Sequence, residues 1–75
     1  MEPKKDFATR LYELRVLRRL TQKDVGKAVG LSAKSICTIE NGTTKTSIDK
    51  LIAIADFFDV SIDYLVGRSD VKERQ

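Results

Sequence analysis

The fold is decided by residues 21–42, TQKDVGKAVGLSAKSICTIENG. Thr21 is typical of a helix N-cap, because its hydroxyl accepts a backbone N–H of the next turn, and Asp24 completes a capping box. Gly30 favours the left-handed conformation that ends a helix, and Ser32 caps the following one. The pattern predicts two helices of about eight residues joined by a three-residue turn, a helix-turn-helix arrangement. They would be the second and third helices of the chain.

Gly26 is unusual because it lies inside the second helix. A glycine there costs about 1 kcal/mol relative to alanine, which predicts that the third helix crosses closely at this point. A generic helical hairpin within a bundle has the same spacing, so the spacing alone leaves both interpretations open.

The outward face of the third helix favours a binding role. Helical periodicity turns Ile36 and Ile39 to the core, with no carboxylate on the opposite face before Glu40. That opposite face carries Ala33, Lys34, Cys37 and Thr38. A DNA major groove is about 12 Å wide and admits a helix most easily when the presented side chains are short. The face therefore favours a helix that reads a groove over one that faces only solvent.

Three further helices flank this pair. The first begins near Asp6 and ends around Arg19, and its inward face comprises Phe7, Leu11, Leu14 and Leu17. The inward residues of the second helix are Val25, Ala28 and Val29. Ser47 caps a fourth helix, and its apolar residues are Ile48, Leu51, Ile52, Ile54, Ala55, Phe57 and Phe58. Ser61 caps a short fifth helix that ends at Gly67.

The predicted fold class is therefore all-α, a compact five-helix domain. The single domain is expected to occupy residues 1–75, with a core of about 6–67 and a flexible charged tail at 68–75. The third helix is expected to end at Asn41-Gly42, because the flanks of that pair lack the alternation of a hairpin.

Composition excludes several classes of function. Seventy-five residues suffice for one small domain. One cysteine and no histidine exclude an internal disulfide, the common zinc-ligand sets and histidine-based catalysis. No apolar run approaches the roughly 20 residues that span a bilayer, and no signal peptide is visible. We expect a cytoplasmic protein that is not an enzyme and has no cofactor, metal, membrane partner or evident small-molecule ligand.

Charge is unevenly distributed along the chain. Residues 1–45 carry 10 Lys+Arg and 5 Asp+Glu, whereas residues 46–75 carry 4 and 6. A basic first half is typical of a polyanion-facing side, and the acidic second half is available for another task.

The sequence resembles the lambda-repressor-like (Cro/CI-type, XRE) helix-turn-helix DNA-binding family over roughly Phe7 to Gly67. The residues that carry the resemblance are Thr21-Gln22, Gly30-Leu31-Ser32, Ile36, Ile39-Glu40-Asn41-Gly42 and Val60-Ser61-Ile62-Asp63-Tyr64-Leu65. The resemblance implies a helix-turn-helix DNA-binding domain that docks its third helix in the major groove of double-stranded DNA.

The resemblance also implies site residues. Gln22 would bond a DNA phosphate at the start of the second helix, where backbone N–H groups complement an anion. The other phosphate-contacting residues would be Lys23, Asn41, Thr43, Thr44 and Lys45. The base-reading residues would be Ser32, Ala33, Lys34, Cys37 and Thr38. Lys34 is suited to guanine O6 or N7, and Thr38 to a base edge or a thymine methyl.

Comparison of the sequence with the family gives three further expectations. Arg15 and Glu40 match a pair that forms a salt bridge in some family members, which would orient the third helix. The recognition face departs from the family because it lacks the common Gln or Arg, which suggests modest specificity or dependence on DNA shape. Cys37 also lies on that face, and a lone cysteine is more often a packing residue than a redox switch.

A dimer is expected because one docked helix contacts few base pairs. Two recognition helices about 34 Å apart would meet successive major grooves of a palindromic site. The predicted homodimer interface comprises Ile62, Tyr64 and Val66, although packing of Tyr64 into the core is the alternative.

These features predict a bacterial or phage-encoded, nucleoid-associated transcriptional regulator, specifically a repressor. Repression requires only that the protein occupy a promoter. The alternative is a protein-interaction module, such as an antitoxin that masks a partner protein.

Overall fold

The structure is a computed structural model that describes residues 6–43 and 46–73. Within these ranges the chain forms five helices and no strand. Their bounds are α1 Phe7–Leu17, α2 Gln22–Val29, α3 Ala33–Glu40, α4 Ile48–Phe58 and α5 Ile62–Leu65. The predicted all-α, five-helix class is confirmed. Thr44 and Lys45, two of the predicted phosphate contacts, lie outside the described residues.

Each helix begins at a side-chain cap. The predicted caps Thr21, Ser32, Ser47 and Ser61 all accept the backbone N–H three residues on. Asp6 caps α1 in the same way, through Thr9. These bonds satisfy donors that the first turn of a helix leaves unpaired, so the chain marks its helix starts locally.

The helices pack around one apolar core. Its buried members are Leu11, Leu14, Val25, Val29, Ile36, Ile39, Ile54, Ala55, Phe58, Val60, Tyr64 and Leu65. Every helix contributes to this core, and Ile36 and Ile39 fix the inward face of α3 within it. The position of the helix-turn-helix is therefore set by packing from all sides.

Five residues that we expected on apolar faces lie on the surface, including Ile52 and Phe57, which are 40% and 36% exposed. Leu17 is 70% exposed, Ile48 is 74% exposed, and Ala28 is exposed as well. Ala28 lies about 60° around α2 from Val25, outside the buried stripe, whereas Leu17 and Ile48 lie at the edge of the stripe and are terminal residues of their helices. Just after α1, the exposed C-cap residue Arg18 donates from its Nη2 to the carbonyl of Phe58 at 2.6 Å.

Gly26 allows a close approach of two backbones. A Cβ at this position would lie 2.4 Å from the carbonyl oxygen of Leu31 and 3.2 Å from the carbonyl carbon of Ser32. The neighbour is thus the turn that leads into α3, and the expected crossing by the third helix itself was wrong. The Leu31 N–H also donates to the Gly26 carbonyl at 2.7 Å, which closes the turn.

The other end of the turn is held from α4. Gly30 has a φ of +79°, the left-handed conformation that ends α2 as predicted. Lys50 donates from its Nζ to the carbonyl of Val29 at 3.1 Å. A cation at a helix C-terminus is favourable because the last carbonyls carry partial negative charge. α4 therefore fixes the end of α2 from which the turn departs.

The segment after α5 differs from the free tail that we expected. The Ser61 N–H donates to the carbonyl of Lys72 at 2.9 Å, and Arg10 donates to the carbonyl of Ser69 at 2.7 Å. Arg10 also pairs with Asp70 at 2.7 Å. Residues 69–72 are thus bonded to α1 and to the start of α5, and Ser69 and Asp70 provide acceptors for the buried arginine.

Candidate nucleic-acid interface

α3 presents a face of short side chains to solvent. Ile36 and Ile39 are buried behind the helix, whereas Ala33 and Lys34 are exposed and Cys37 and Thr38 are half-buried. α3 therefore has the orientation that the periodicity predicts, because its apolar residues are buried in the core and hold the helix in place. Lys34 is the one cation of α3, and its ammonium group is a three-hydrogen donor on a flexible stem.

The hydroxyls of this face are already engaged within the protein. Ser32 caps the helix by accepting from the Ser35 N–H at 3.0 Å, and its hydroxyl contacts the Ser35 Oγ at 3.0 Å. Thr38 donates from Oγ1 to the carbonyl of Ser35 at 2.9 Å. Thr38 thus presents its methyl group beside a hydroxyl that is already bonded within the protein. Sequence reasoning missed the role of Ser35, which was signalled by its spacing of three residues from both hydroxyls.

Cys37 lies one helical turn before the end of α3. Its side chain is half-buried, and the Asn41 Nδ2 donates to its Sγ at 3.7 Å. Asn41 is the C-cap residue of α3 and is exposed. The contact shows that Asn41 turns back onto the recognition helix, which places both residues at the same end of the face.

The start of α2 combines helix N–H groups with polar side chains. Lys23 is exposed and Gln22 is half-buried in the first turn. The capping box holds this end, because Asp24 accepts from the Thr21 N–H at 2.9 Å and Thr21 accepts from the Asp24 N–H at 3.0 Å. The first of these bonds lowers the pKa of Asp24, because an N–H donor stabilises the carboxylate.

Arg15 and Glu40 form a bidentate ion pair between α1 and α3. Arg15 Nε lies 2.7 Å from Glu40 Oε2, and Arg15 Nη2 lies 3.0 Å from Glu40 Oε1. Their side chains are only 13% and 5% exposed. The hydrogen bond to Glu40 raises the pKa of Arg15. Arg15 Nη1 also donates to the Leu20 carbonyl at 2.9 Å, so the pair joins α1, the loop before α2 and α3.

Gln22 belongs to the same network. Its Nε2 donates to Glu40 Oε1 at 3.3 Å, the oxygen that also accepts from Arg15 Nη2. The resemblance singled out these three residues for two separate roles, and the structure brings them together at one carboxylate. No spacing rule could have revealed this contact, because Gln22 and Glu40 lie on different helices.

Beyond α3 the described chain reaches Thr43. Gly42 has a φ of +74°, and the Thr43 hydroxyl donates to the carbonyl of Thr38 at 3.1 Å. Thr43 therefore satisfies one of the last carbonyls of the helix, while Asn41 and Thr43 are both exposed.

The three residues predicted for a dimer interface have different environments. Ile62 is 41% exposed and Val66 is half-buried, but Tyr64 is only 8% exposed. The Arg10 guanidinium lies 4.0 Å from the centroid of the Tyr64 ring. Tyr64 is therefore part of the monomer's own core and lies beneath Arg10, which is the alternative that the sequence left open.

Two other kinds of site have no support in residues 6–43 and 46–73. No group of three His, Cys, Asp or Glu side chains in these ranges is arranged to hold a metal ion. Nor is any described helix long and apolar enough to cross a membrane.

Comparison with curated proteins identifies relatives of this chain. A helix-turn-helix family model matches residues 11–65. The HTH-type transcriptional regulator YobD of Bacillus subtilis is 33% identical over 64 residues, which cover 85% of this chain and 57% of YobD. The cryptic phage CTXphi transcriptional repressor RstR of Vibrio cholerae is 30% identical over 64 residues, which cover 85% of this chain and 58% of RstR. This chain therefore spans somewhat more than half the length of these relatives.

The fold matches a solved repressor over almost its full length. The P22 c2 repressor, in a crystal structure with a synthetic operator, superposes with a TM-score of 0.81 at 26% identity, covering 87% of this chain and 98% of that one. The family match spans α2, the turn and α3, which are the elements whose capping and packing are described above. This chain belongs to the lambda-repressor-like helix-turn-helix family of DNA-binding proteins.

Proposed function

We propose that this protein is a transcriptional repressor that binds a palindromic site in double-stranded DNA as a homodimer. The observation that carries the proposal is the face of α3, where Ala33 and Lys34 are exposed above the buried Ile36 and Ile39. Short side chains on a firmly anchored helix allow that helix to enter a major groove. The P22 c2 repressor, which is bound to an operator, has the same fold.

The N-terminus of α2 anchors the DNA backbone. Its unpaired N–H groups and the positive end of the helix dipole favour a phosphate. Gln22 supplies amide N–H groups there, and the exposed Lys23 adds a positive charge. On the other side of α3, Asn41 and Thr43 contact the backbone, together with Thr44 and Lys45, which lie beyond the described residues. These contacts position the domain without selecting a sequence.

Sequence is selected mainly by Lys34. Its ammonium group donates to guanine O6 or N7, the strongest hydrogen-bond acceptors of the major groove. Thr38 and Ala33 contribute methyl groups that suit the C5 methyl of thymine. Ser32 and Cys37 border the same surface, and the Ser32 hydroxyl is already engaged with Ser35. Few strong direct contacts imply that DNA shape contributes to selection.

Dimerisation supplies the affinity that one recognition helix lacks. Ile62 and Val66 provide the apolar surface on and just after α5, and Ile62 is 41% exposed. Two copies with recognition helices about 34 Å apart meet successive major grooves. Sedimentation of the free protein should give twice the monomer mass of 8.5 kDa at high concentration. A monomer that also binds DNA as a monomer would contradict this part of the proposal.

Selection from a pool of random duplexes tests binding, specificity and symmetry together. We expect enrichment of a two-fold symmetric consensus whose half-sites are one helical turn apart, about 10 base pairs. The protein is applied at low salt first, since phosphate contacts are strongest there. Failure to retain any duplex at low salt would refute the proposed function.

A matched pair of lysine variants separates base reading from anchoring. Lys34→Ala should relax preference at one base position of each half-site and cost about 1–3 kcal/mol on the selected duplex. Lys23→Ala, the control, should weaken all duplexes alike and reduce the salt slope by about 1. Gln22→Ala should also weaken all sequences about equally. Identical behaviour of the two lysine variants across a library of sites would refute the assignment of Lys34 to base reading.

A further inference from the structure

Glu40 is a buried carboxylate shared by two donors from different helices. Its Oε1 accepts from Arg15 Nη2 at 3.0 Å and from Gln22 Nε2 at 3.3 Å. Its Oε2 accepts from Arg15 Nε at 2.7 Å. The Glu40 side chain is only 5% exposed, so these three bonds replace most of its contact with water.

The charge of this carboxylate would be unfavourable in the absence of Arg15. Glu40 is the last residue of α3, where the negative end of the helix dipole disfavours an acid. It also contacts Gln22, in the first turn of α2, where the proposed DNA phosphate binds. The bidentate bonds of Arg15 neutralise this negative charge. With its charge neutralised, Glu40 acts near the proposed phosphate as a hydrogen-bond acceptor that fixes the neutral amide of Gln22.

We propose that Glu40 is a positioning residue for DNA binding, which acts by orienting the side-chain amide of Gln22. This inference rests on the proposed function, since it concerns the same phosphate anchor. The amide nitrogen of Gln22 carries two hydrogens. One is donated to Glu40, and the second is thereby aimed at a backbone phosphate. A side chain held before binding loses less conformational entropy when the complex forms.

The mechanism predicts coupling between positions 22 and 40. Gln22→Ala removes the phosphate donor, and Glu40→Leu removes the acceptor, which leaves that donor in place but unoriented. Each change should weaken binding to the selected duplex about tenfold, the effect of losing one charge-assisted hydrogen bond. The double variant should bind about as weakly as either single variant, because both remove the same oriented contact.

The test is a double-mutant cycle of duplex affinity, with a spectroscopic measurement on the free protein. In the free protein, Glu40→Leu should shift the two side-chain N–H resonances of Gln22 towards those of a solvated amide. Asp70→Asn is the control, because it removes the ion pair with Arg10, away from α2 and α3. It should leave both the affinity and the Gln22 resonances unchanged.

A second variant keeps the test decisive if Glu40→Leu does not fold. Gln22→Asn retains the amide but withdraws it by one methylene, so it cannot reach Glu40 and a phosphate together. It should bind as weakly as Gln22→Ala. Wild-type affinity of Gln22→Asn, additive losses in the cycle, or unchanged Gln22 resonances would each overturn the inference while the proposed function stands. A wild-type chain that binds no duplex would overturn both.

Discussion

Replacement of Gly26 by alanine has two opposite effects on the free energy of unfolding. Alanine is the better helix former by about 1 kcal/mol in a helix interior. The new Cβ, however, would lie 2.4 Å from the carbonyl oxygen of Leu31, much closer than van der Waals contact. The obstacle is backbone and not the end of a flexible side chain, so the turn into α3 has to move.

The structure gives the expected magnitude. Overpacking costs about 1–3 kcal/mol. Moving the turn also weakens the 2.7 Å bond from the Leu31 N–H to the Gly26 carbonyl, which costs about 1 kcal/mol. After the gain in helix propensity, Gly26→Ala should lower the free energy of unfolding by about 1–3 kcal/mol. That is a large part of the roughly 4–11 kcal/mol typical for a domain of this size.

Urea unfolding followed by far-ultraviolet circular dichroism measures this change. A slope of about 1 kcal/mol per molar urea would move the midpoint by about 1–3 M. Ala28→Gly is the matched control, because Ala28 is exposed in the same helix and should lose only about 1 kcal/mol of propensity. A Gly26→Ala protein as stable as the wild type would refute the argument that backbone contact requires this glycine.

Two further predictions concern side chains outside the recognition face. Arg10→Met should remove the donors to the carbonyls of Tyr64 and Ser69, so the amide hydrogen of Ser61, bonded to Lys72, should exchange faster with solvent. Asp70→Asn should leave the exchange of the Ser61 amide nearly unchanged, because the Asp70 side chain is 96% exposed. Equal loss of protection in both variants would contradict the importance of the carbonyl acceptors. The Thr21 N–H lowers the pKa of Asp24 in the folded protein. The ionised Asp24 carboxylate therefore stabilises the fold fully above its unfolded pKa of about 4, and this stabilisation is lost as the pH falls through the folded pKa. Asp24→Asn should therefore flatten the loss of stability on acidification, and a carboxyl titration followed by nuclear magnetic resonance that gives an ordinary pKa for Asp24 would contradict this.

The helix starts and stops were predictable from sequence because their causes are local. Thr21 and Ser32 each bond a backbone N–H only three residues away, and Gly30 ends α2 through its own backbone conformation. Such signals do not depend on how the helices pack. The same explanation applies to the caps of α4 and α5, so five helices followed from the residues themselves.

Contacts between distant residues were not predictable in this way. Arg10 bonds acceptors 54 to 60 residues further along the chain, and no spacing signals that the segment after Gly67 returns to α1. Apolar periodicity also overestimated the core at Leu17 and Ile48, because both lie at the edge of the buried stripe and at the end of a helix, where neighbouring elements do not cover them. The Arg15 and Glu40 pairing came from resemblance alone, and the attachment of Gln22 to it came only from the structure.

The hydrogen bonds within α3 bear on how the proposed repressor would select DNA. Ser32 and Thr38 both direct their hydroxyls at Ser35, which leaves fewer free donors on the surface than the sequence suggests. A direct code of strong contacts then depends on Lys34, whose flexible ammonium group binds as a point charge without the two-pronged geometry of arginine. In the proposed function, selection by this helix therefore combines one guanine contact with methyl contacts and the deformability of the duplex. Substitution of base pairs that the protein never touches should thus alter its affinity, because bending and groove width depend on them.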